Sequence, residues 1–154
     1  RMQSFVLDEA INPFNVVQPG QRPRATLTPS LALQDGKPLM AFSVQGGDSQ
    51  DQNLLQFFLN IVEFGMNVQQ AAEAHNITSY QMQSSFGAHK SEPGLIEVSR
   101  KIPEWVRDDL GEMGYDVETV ERTYSPITAI WFDNEQGTMW GGASDYGDDY
   151  GVAW

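Results

Sequence analysis

The chain has no cysteine, so it can form no disulfide, offers no thiolate nucleophile and cannot build a zinc site from cysteine. For the same reason the sequence does not indicate a redox compartment. Basic residues are also scarce, because nine lysines and arginines stand against 21 aspartates and glutamates, for a net charge of −12. These scattered cations argue against binding to nucleic acid through its phosphates. No apolar run approaches the length of a membrane span.

Histidine is also rare, because the chain contains two histidines, His75 and His89. Neither is accompanied by other metal ligands at a typical spacing. Three aspartates near the end, Asp145, Asp148 and Asp149, do not match the spacing of a calcium-binding loop. We therefore assign no metal site and no cofactor.

The 154 residues suffice for one core, and the order of elements predicts an α+β fold. Asp35-Gly36 predicts a two-residue hairpin turn, and Asn67 with Gln70 predicts a capping box on a short helix. The order of hairpin, two helices, strand, helix and strands favours a mixed or antiparallel sheet with helices on one face. Thr78 to Ser85 and Leu95 to Val98 are the strand candidates between the short helix and the later one.

The later helix is predicted from an apolar stripe at helical spacing. Its members are Trp105, Val106, Leu110 and Met113. Because apolar residues at this spacing usually face a core, we expect Trp105 and Met113 to be buried.

The most informative stretch runs from Gly46 to Gly65, where a glycine pair leads from a strand directly into an apolar helix. Eight apolar residues between Leu54 and Phe64 cover so much of the helix circumference that we expect burial on most of its surface. Asp48 or Ser49 is the expected N-cap.

The glycine pair itself, Gly46-Gly47, suggests an anion site. Such a turn leaves unpaired N–H groups near the positive end of a helix dipole, where a carboxylate, a phosphate or an oxyanion can bind. The same pattern also fits a tight turn that binds nothing, because glycine at a turn needs no ligand.

Four stretches occur in the order and at the spacing of a known family. They are RPRATLTPSLAL followed by DGKP, the glycine pair, LLQFFLNIVEFGMNVQQAAEA and the closing GGASDYGDDYGVAW. Together they resemble the small subunit of the gamma-glutamyltranspeptidase family of N-terminal nucleophile hydrolases. The resemblance makes residues 1–154 a single partial domain, the C-terminal portion of that subunit. It implies a four-layer αββα sandwich that the large subunit of the same precursor completes.

The resemblance also implies a mechanism. The precursor cuts itself before a threonine, whose new α-amino group and hydroxyl act as base and nucleophile on an amide, and the acyl group then passes to water or an amine. Gly46 and Gly47 would donate their N–H groups to the tetrahedral oxyanion. The threonine is expected upstream of Arg1, so we expect the 154-residue piece to be inactive by itself.

Two departures from the family pattern concern the substrate. Where transpeptidases hold the glutamyl α-carboxylate with a serine pair, this chain has Ala25-Thr26, and where they hold the α-amino group with an aspartate, it has Gln3-Ser4. A neutral side chain in place of the aspartate can still accept a hydrogen bond from an ammonium group, but the bond loses the charge assistance that makes it strong. Arg22 can either bind a substrate carboxylate or pair with one of the many acids. Cleavage of a γ-glutamyl or a related amide, as by acylases and amidohydrolases, is therefore expected.

A second interpretation is a diverged binding or structural domain that kept the fold and lost the chemistry. The resemblance implies a large-subunit partner and a small-molecule amide substrate, and it leaves the acyl group and the acceptor open. It also suggests a periplasmic or secreted protein without establishing the compartment. Because half a sandwich leaves an apolar sheet face and sheet edges uncovered, we expect the isolated fragment to self-associate.

Overall fold

The computed structural model describes residues 6–13, 15–22, 25–123 and 125–147. Within these ranges the chain forms seven strands and three helices. In chain order they are β1 (Ser30–Gln34), β2 (Lys37–Val44), α1 (Gln50–Val62), α2 (Val68–Glu73), β3 (Ile77–Ser79), β4 (Leu95–Ser99), α3 (Glu104–Glu112), β5 (Asp116–Val120), β6 (Ile127–Asp133) and β7 (Thr138–Ala143).

The larger sheet has four antiparallel strands in the order β1-β2-β6-β7. Its first hairpin turns at Asp35 and Gly36, whose φ angles are 52° and 77°. These positive angles are the ones a two-residue hairpin turn requires, and the prediction from Asp-Gly is confirmed. Strand β2 lies in the middle of the sheet and ends at Val44, one residue before the segment that carries the glycine pair.

Helices α1 and α2 cover one face of this sheet and form the core with it. The buried members are Met40, Val44, Leu54, Phe57, Ile61, Val68, Ala71, Ala72, Ile127 and Ala129. The predicted capping box is confirmed at the start of α2, where Asn67 and Gln70 exchange side-chain and backbone hydrogen bonds. Burial of these apolar side chains is the main stabilising term that holds the two helices on the sheet.

Helix α1 is less buried than its sequence predicts. Leu54, Phe57 and Ile61 face the sheet, but Leu55 and Phe64 are 58% and 73% exposed. The prediction of burial on most of the surface holds for ten of the 13 helix residues, which are buried or half-buried, because the larger sheet, α2 and β3 all contact α1. It fails for Leu55, which faces solvent in the described structure, and Phe64 lies beyond the end of the helix. The predicted N-cap position is confirmed at Ser49, but the expected hydrogen bond from its side chain to the first turn is absent.

The smaller sheet has the order β3-β4-β5, with β3 antiparallel and β5 parallel to β4. The predicted strand from Thr78 to Ser85 is wrong beyond Ser79, where an irregular loop begins. Helix α3 connects β4 to β5 and has no buried residue, with Trp105 and Met113 at 66% and 73% exposed. Their predicted burial is wrong because α3 packs against β5 at the edge of a sheet of only three strands.

The face of the larger sheet that points away from α1 and α2 is apolar and open in the described residues. Leu31, Ile130 and Met139 lie on it and are 61%, 43% and 69% exposed. An apolar sheet face of this kind is the surface that a second layer would cover. Among the described residues, no helix combines the length and the apolar character that crossing a bilayer requires.

Candidate active site

The glycine pair lies between the end of β2 and the start of α1. The Gln45 amide donates to the Pro126 carbonyl at 3.0 Å and so extends the ladder between β2 and β6 by one residue. In the described part of the chain, the amides of Gly46 and Gly47 donate no hydrogen bond. They therefore remain available to an acceptor at the N-terminus of a 13-residue helix, where the dipole favours negative charge.

Packing around the pair leaves no room for larger residues. A Cβ on Gly46 would lie 3.1 Å from Ser49 Oγ and 3.3 Å from Gln50 Cγ. A Cβ on Gly47 would lie 2.7 Å from Cε2 of Phe86, so the aromatic ring would have to move. The first turn of α1 is itself tied to the end of β2, because the Gln50 side-chain amide donates to the Val44 carbonyl at 2.7 Å.

Two clefts meet at the glycine pair. The first has a volume of about 1000 Å³ and includes Gly47 in its wall, whereas the second has a volume of about 580 Å³ and includes Gly46. The two clefts share four residues, Thr26, Leu27, Gln50 and Phe86. A group bound to the two glycine amides would therefore have space on both sides.

The structure brings together four of the residues predicted for the site. Ala25 lines the first cleft, and Thr26 lines both clefts beside Gly46 and Gly47. Arg22 is exposed and lines neither of these clefts. The other two predicted residues, Gln3 and Ser4, lie outside the described residues.

An irregular loop between β3 and β4 forms the wall opposite the glycine pair. The Asp48 carboxylate accepts a hydrogen bond of 2.6 Å from the amide of Ser85, which is 1% exposed. The Phe86 amide donates to Ser84 Oγ at 3.1 Å, and the Phe86 carbonyl accepts from the His89 amide at 3.0 Å. These bonds fix the backbone on both sides of the Phe86 side chain and hold its ring against Gly47.

A buried polar network lies behind the turn, on the side of the smaller sheet. Asn76 donates to the side chain of Asn53, which is fully buried on α1 and donates to Ser125 Oγ at 3.4 Å. Thr123 Oγ1 lies 2.6 Å from the carbonyl oxygen of Asn76 and completes the chain of contacts. Ser125 Oγ would lie 3.4 Å from a Cβ on Gly46. Paired buried polar groups of this kind hold neighbouring segments in one arrangement.

Neither shifted titratable group provides a base at the glycine pair. Burial, together with a hydrogen bond to Glu97, raises the pKa of Tyr80 to about 12, so this phenol in the first cleft stays protonated at neutral pH. Burial and the charge of Lys101 lower the pKa of His75, which lines neither cleft. No cluster of acidic and histidine side chains suited to a metal ion occurs in the ranges that the structure describes.

The sequence interpretation missed the residues that shape the wall. Ser85 was placed in a predicted strand, although the turn-forming residues around Gly87 in SSFGAH indicate a loop. On α1, the polar residues Gln50 and Asn53 share the helical spacing of buried Phe57, and that periodicity indicates that they face inward. Neither the contact between Phe86 and Gly47 nor the bond between Asp48 and Ser85 has a signal in the sequence.

Comparisons with known proteins find similarity along the whole chain. The family model of gamma-glutamyltranspeptidase matches residues 1–154. A glutathione hydrolase proenzyme from Bacillus subtilis is 30% identical over 127 residues, which make up 82% of this chain and 20% of that protein. Three of the matched proenzymes are covered by this chain over only 20%, 22% and 27% of their own lengths.

Solved structures share the fold. A cephalosporin acylase from Bacillus halodurans aligns with a TM-score of 0.83 and 25% identity over 98% of this chain and 26% of its own chain. A gamma-glutamyltranspeptidase from Pseudomonas nitroreducens aligns with a TM-score of 0.77 and 21% identity over 99% of this chain and 79% of its own. The predicted N-terminal nucleophile hydrolase fold is confirmed, and the described residues supply its four-stranded sheet with the two covering helices, together with the smaller three-stranded sheet. Because the family model matches residues 1–154 of this chain, the chain belongs to the gamma-glutamyltranspeptidase family.

Proposed function

We propose that this chain is part of an acyltransferase or amidohydrolase that cleaves a γ-glutamyl or related amide. The observation that carries this proposal is the pair of adjacent N–H groups at Gly46 and Gly47, which donate no hydrogen bond in the described structure and lie where two clefts meet. Such donors at a helix N-terminus stabilise the oxyanion of a tetrahedral intermediate.

The proposed reaction uses a threonine that these 154 residues do not supply. Its hydroxyl attacks the amide carbon and its α-amino group takes the hydroxyl proton, while the carbonyl oxygen becomes an oxyanion bound by Gly46 and Gly47. The proton then passes to the leaving amine as the C–N bond breaks, which leaves an acyl ester on the threonine. Water or a second amine attacks the ester and releases the acyl group.

The acyl group is assigned to the first cleft. Thr26 offers a hydroxyl there beside Ala25, in the segment that resembles the carboxylate-binding pair of transpeptidases. Gln3 and Ser4 retain their proposed role toward the amino group of a glutamyl-type acyl chain. Arg22 lies outside both clefts, so its proposed contact is with a carboxylate at the rim.

N-terminal sequencing with intact mass, on the protein purified from its natural source, tests this proposal. We expect a large chain and a small chain that begins at threonine and contains residues 1–154. The 154-residue piece, expressed by itself, should release no p-nitroaniline from γ-glutamyl-p-nitroanilide. A single uncut chain would contradict the proposal and favour a binding or structural domain that has lost the chemistry.

The partner in this proposal is the large subunit of the same precursor. The open sheet face with Leu31, Ile130 and Met139 is the surface assigned to it. Without that partner the exposed apolar face favours self-association of the fragment. Analytical ultracentrifugation should show oligomers that dissociate on dilution, and a compact monomer over a wide concentration range would contradict this part of the proposal.

A further inference from the structure

We propose that Phe86 determines the acyl specificity of this site, and that it selects an acyl group with an uncharged, flat apolar segment next to the scissile carbonyl. The inference rests on the proposed function, because it assumes that the carbonyl oxygen binds the amides of Gly46 and Gly47. It adds the substrate class and a residue that selects it.

Phe86 lies next to the glycine pair, at the place where the two clefts meet. Its side chain lines both clefts, and its ring edge packs on Gly47 so closely that a Cβ there would lie 2.7 Å from Cε2. An acyl group whose carbonyl reaches the glycine amides must therefore pass along this ring. Flat apolar groups gain most from an aromatic neighbour, because ring pairs contribute beyond the area that they bury.

Asp48 is the positioning residue for this ring. It follows the glycine pair directly, and its carboxylate holds the amide of Ser85 at 2.6 Å, one residue before Phe86. A charge-assisted bond of this length is stronger than one between neutral groups. The same residue therefore links the loop that carries the ring to the turn that carries the two amides.

The first cleft also offers apolar side chains among its mostly polar lining residues. Leu27 and Met82 line it and are 71% and 79% exposed, and the protonated Tyr80 lies beside them. Ala25 presents a methyl group where transpeptidases have a serine. Exposed apolar side chains that face one cleft are typical of a ligand-binding surface.

The charges of the cleft disfavour a second carboxylate on the acyl group. Asp48, Asp51 and Glu92 line the first cleft, with Lys90 as the cation among its lining residues. Three carboxylates against one ammonium repel an anionic acyl chain. The cleft therefore discriminates against glutarate-type chains and in favour of neutral ones.

Isothermal titration calorimetry on the full-length processed protein tests the specificity without requiring turnover. The probes are three acids, phenylacetate, glutarate and L-glutamate, each of which places one carboxylate at the glycine amides. We expect the wild type to bind phenylacetate at least tenfold more tightly than glutarate or L-glutamate. Phe86→Ala should lose about tenfold in phenylacetate affinity, whereas Phe86→Tyr should retain it.

Two further variants separate specificity from folding. Phe64→Ala removes an exposed ring outside both clefts and should bind all three acids as the wild type does. Asp48→Ala should lose the preference for phenylacetate, and Asp48→Asn should restore most of it because the amide oxygen still accepts from Ser85. An equal loss for all three acids in Phe86→Ala would indicate a merely structural role and overturn the inference.

The experiments can contradict the proposed function and this inference independently of each other. If the wild type binds phenylacetate through Phe86 but the same preparation cleaves neither phenylacetyl-p-nitroanilide nor γ-glutamyl-p-nitroanilide, the amidase proposal fails and the specificity of the cleft stands. If the wild type cleaves an amide but prefers L-glutamate, or if Phe86→Ala binds phenylacetate unchanged, the inference fails and the amidase proposal stands.

Discussion

Two glycine turns flank strand β2, and they need glycine for different reasons. At Gly36 the backbone has a φ of 77° and a Cβ would meet nothing within 4 Å, so the residue is required for its dihedral angle. At Gly47 the φ is not positive, but a Cβ would lie 2.7 Å from the Phe86 ring, so the residue is required for space. The first turn can be interpreted from local rules alone, whereas the second depends on a loop that is distant in sequence.

The same contrast occurs within one strand, at Gly141 and Gly142 of β7. A Cβ on Gly142 would lie 2.9 Å from the backbone carbonyl of Val68, because α2 crosses the sheet there. On Gly141 it would meet nothing within 4 Å. Of these adjacent glycines, Gly142 therefore faces the closely packed helix and Gly141 faces the open side of the sheet. Three sets of substitutions test these differences between the glycines.

The largest effect is expected at the glycine pair. In the full-length protein, Gly47→Val should lower kcat for the proposed amide hydrolysis by about a hundredfold or more, because the new side chain would displace the proposed oxyanion donors and the Phe86 ring. Initial rates with the p-nitroanilide substrates measure this. Gly36→Ala is the matched control and should keep the wild-type rate. Unchanged turnover in Gly47→Val would remove the pair from the mechanism.

A smaller effect, on stability, is expected where α2 meets the sheet. Gly142→Ala should lower the free energy of unfolding by about 1–3 kcal/mol, because the new methyl group meets the backbone at Val68, which cannot yield as a flexible side chain can. Gly141→Ala should change it by less than about 0.5 kcal/mol. Urea denaturation of the full-length variants gives both values, and equal effects at the two positions would contradict the close approach of α2.

The smallest effect is expected at the hairpin. Gly36→Ala should lower the free energy of unfolding by about 1 kcal/mol, because alanine is strained at a positive φ. Gly36→Asn should lower it by less, since asparagine tolerates this conformation. The same urea experiment distinguishes the two, and a neutral Gly36→Ala would show that the turn can adopt another conformation.

Features that depend on a few neighbouring residues were predictable. The Asp35-Gly36 hairpin and the capping box at the start of α2 follow from local hydrogen bonds and dihedral preferences. The glycine pair before α1 was found for the same reason, because a strand, two glycines and a helix are contiguous. The resemblance to the family then supplied a chemical role for the pair.

Features that depend on distant segments were not predictable in the same way. The apolar pattern of α1 does not indicate which side lacks a partner, so the exposure of Leu55 and Phe64 was missed. For α3, the stripe with Trp105 predicts a buried face but not the size of the sheet that it meets. The bond between Asp48 and Ser85 joins residues 37 positions apart, and no local rule relates them.

The sequence by itself determined the family, the hairpin, the capped helix and the two glycines before α1. The family follows from the resemblance of four stretches to known proteins, and the other features follow from residue order and from backbone chemistry that acts over a few positions. Only the tertiary structure decided which side chains surround the glycines. Phe86 and Thr26 reach them from separate loops, and the charge and shape of the clefts arise from that convergence. The physical reason is that a cleft is a property of packing between segments, which the pattern within any one segment does not contain.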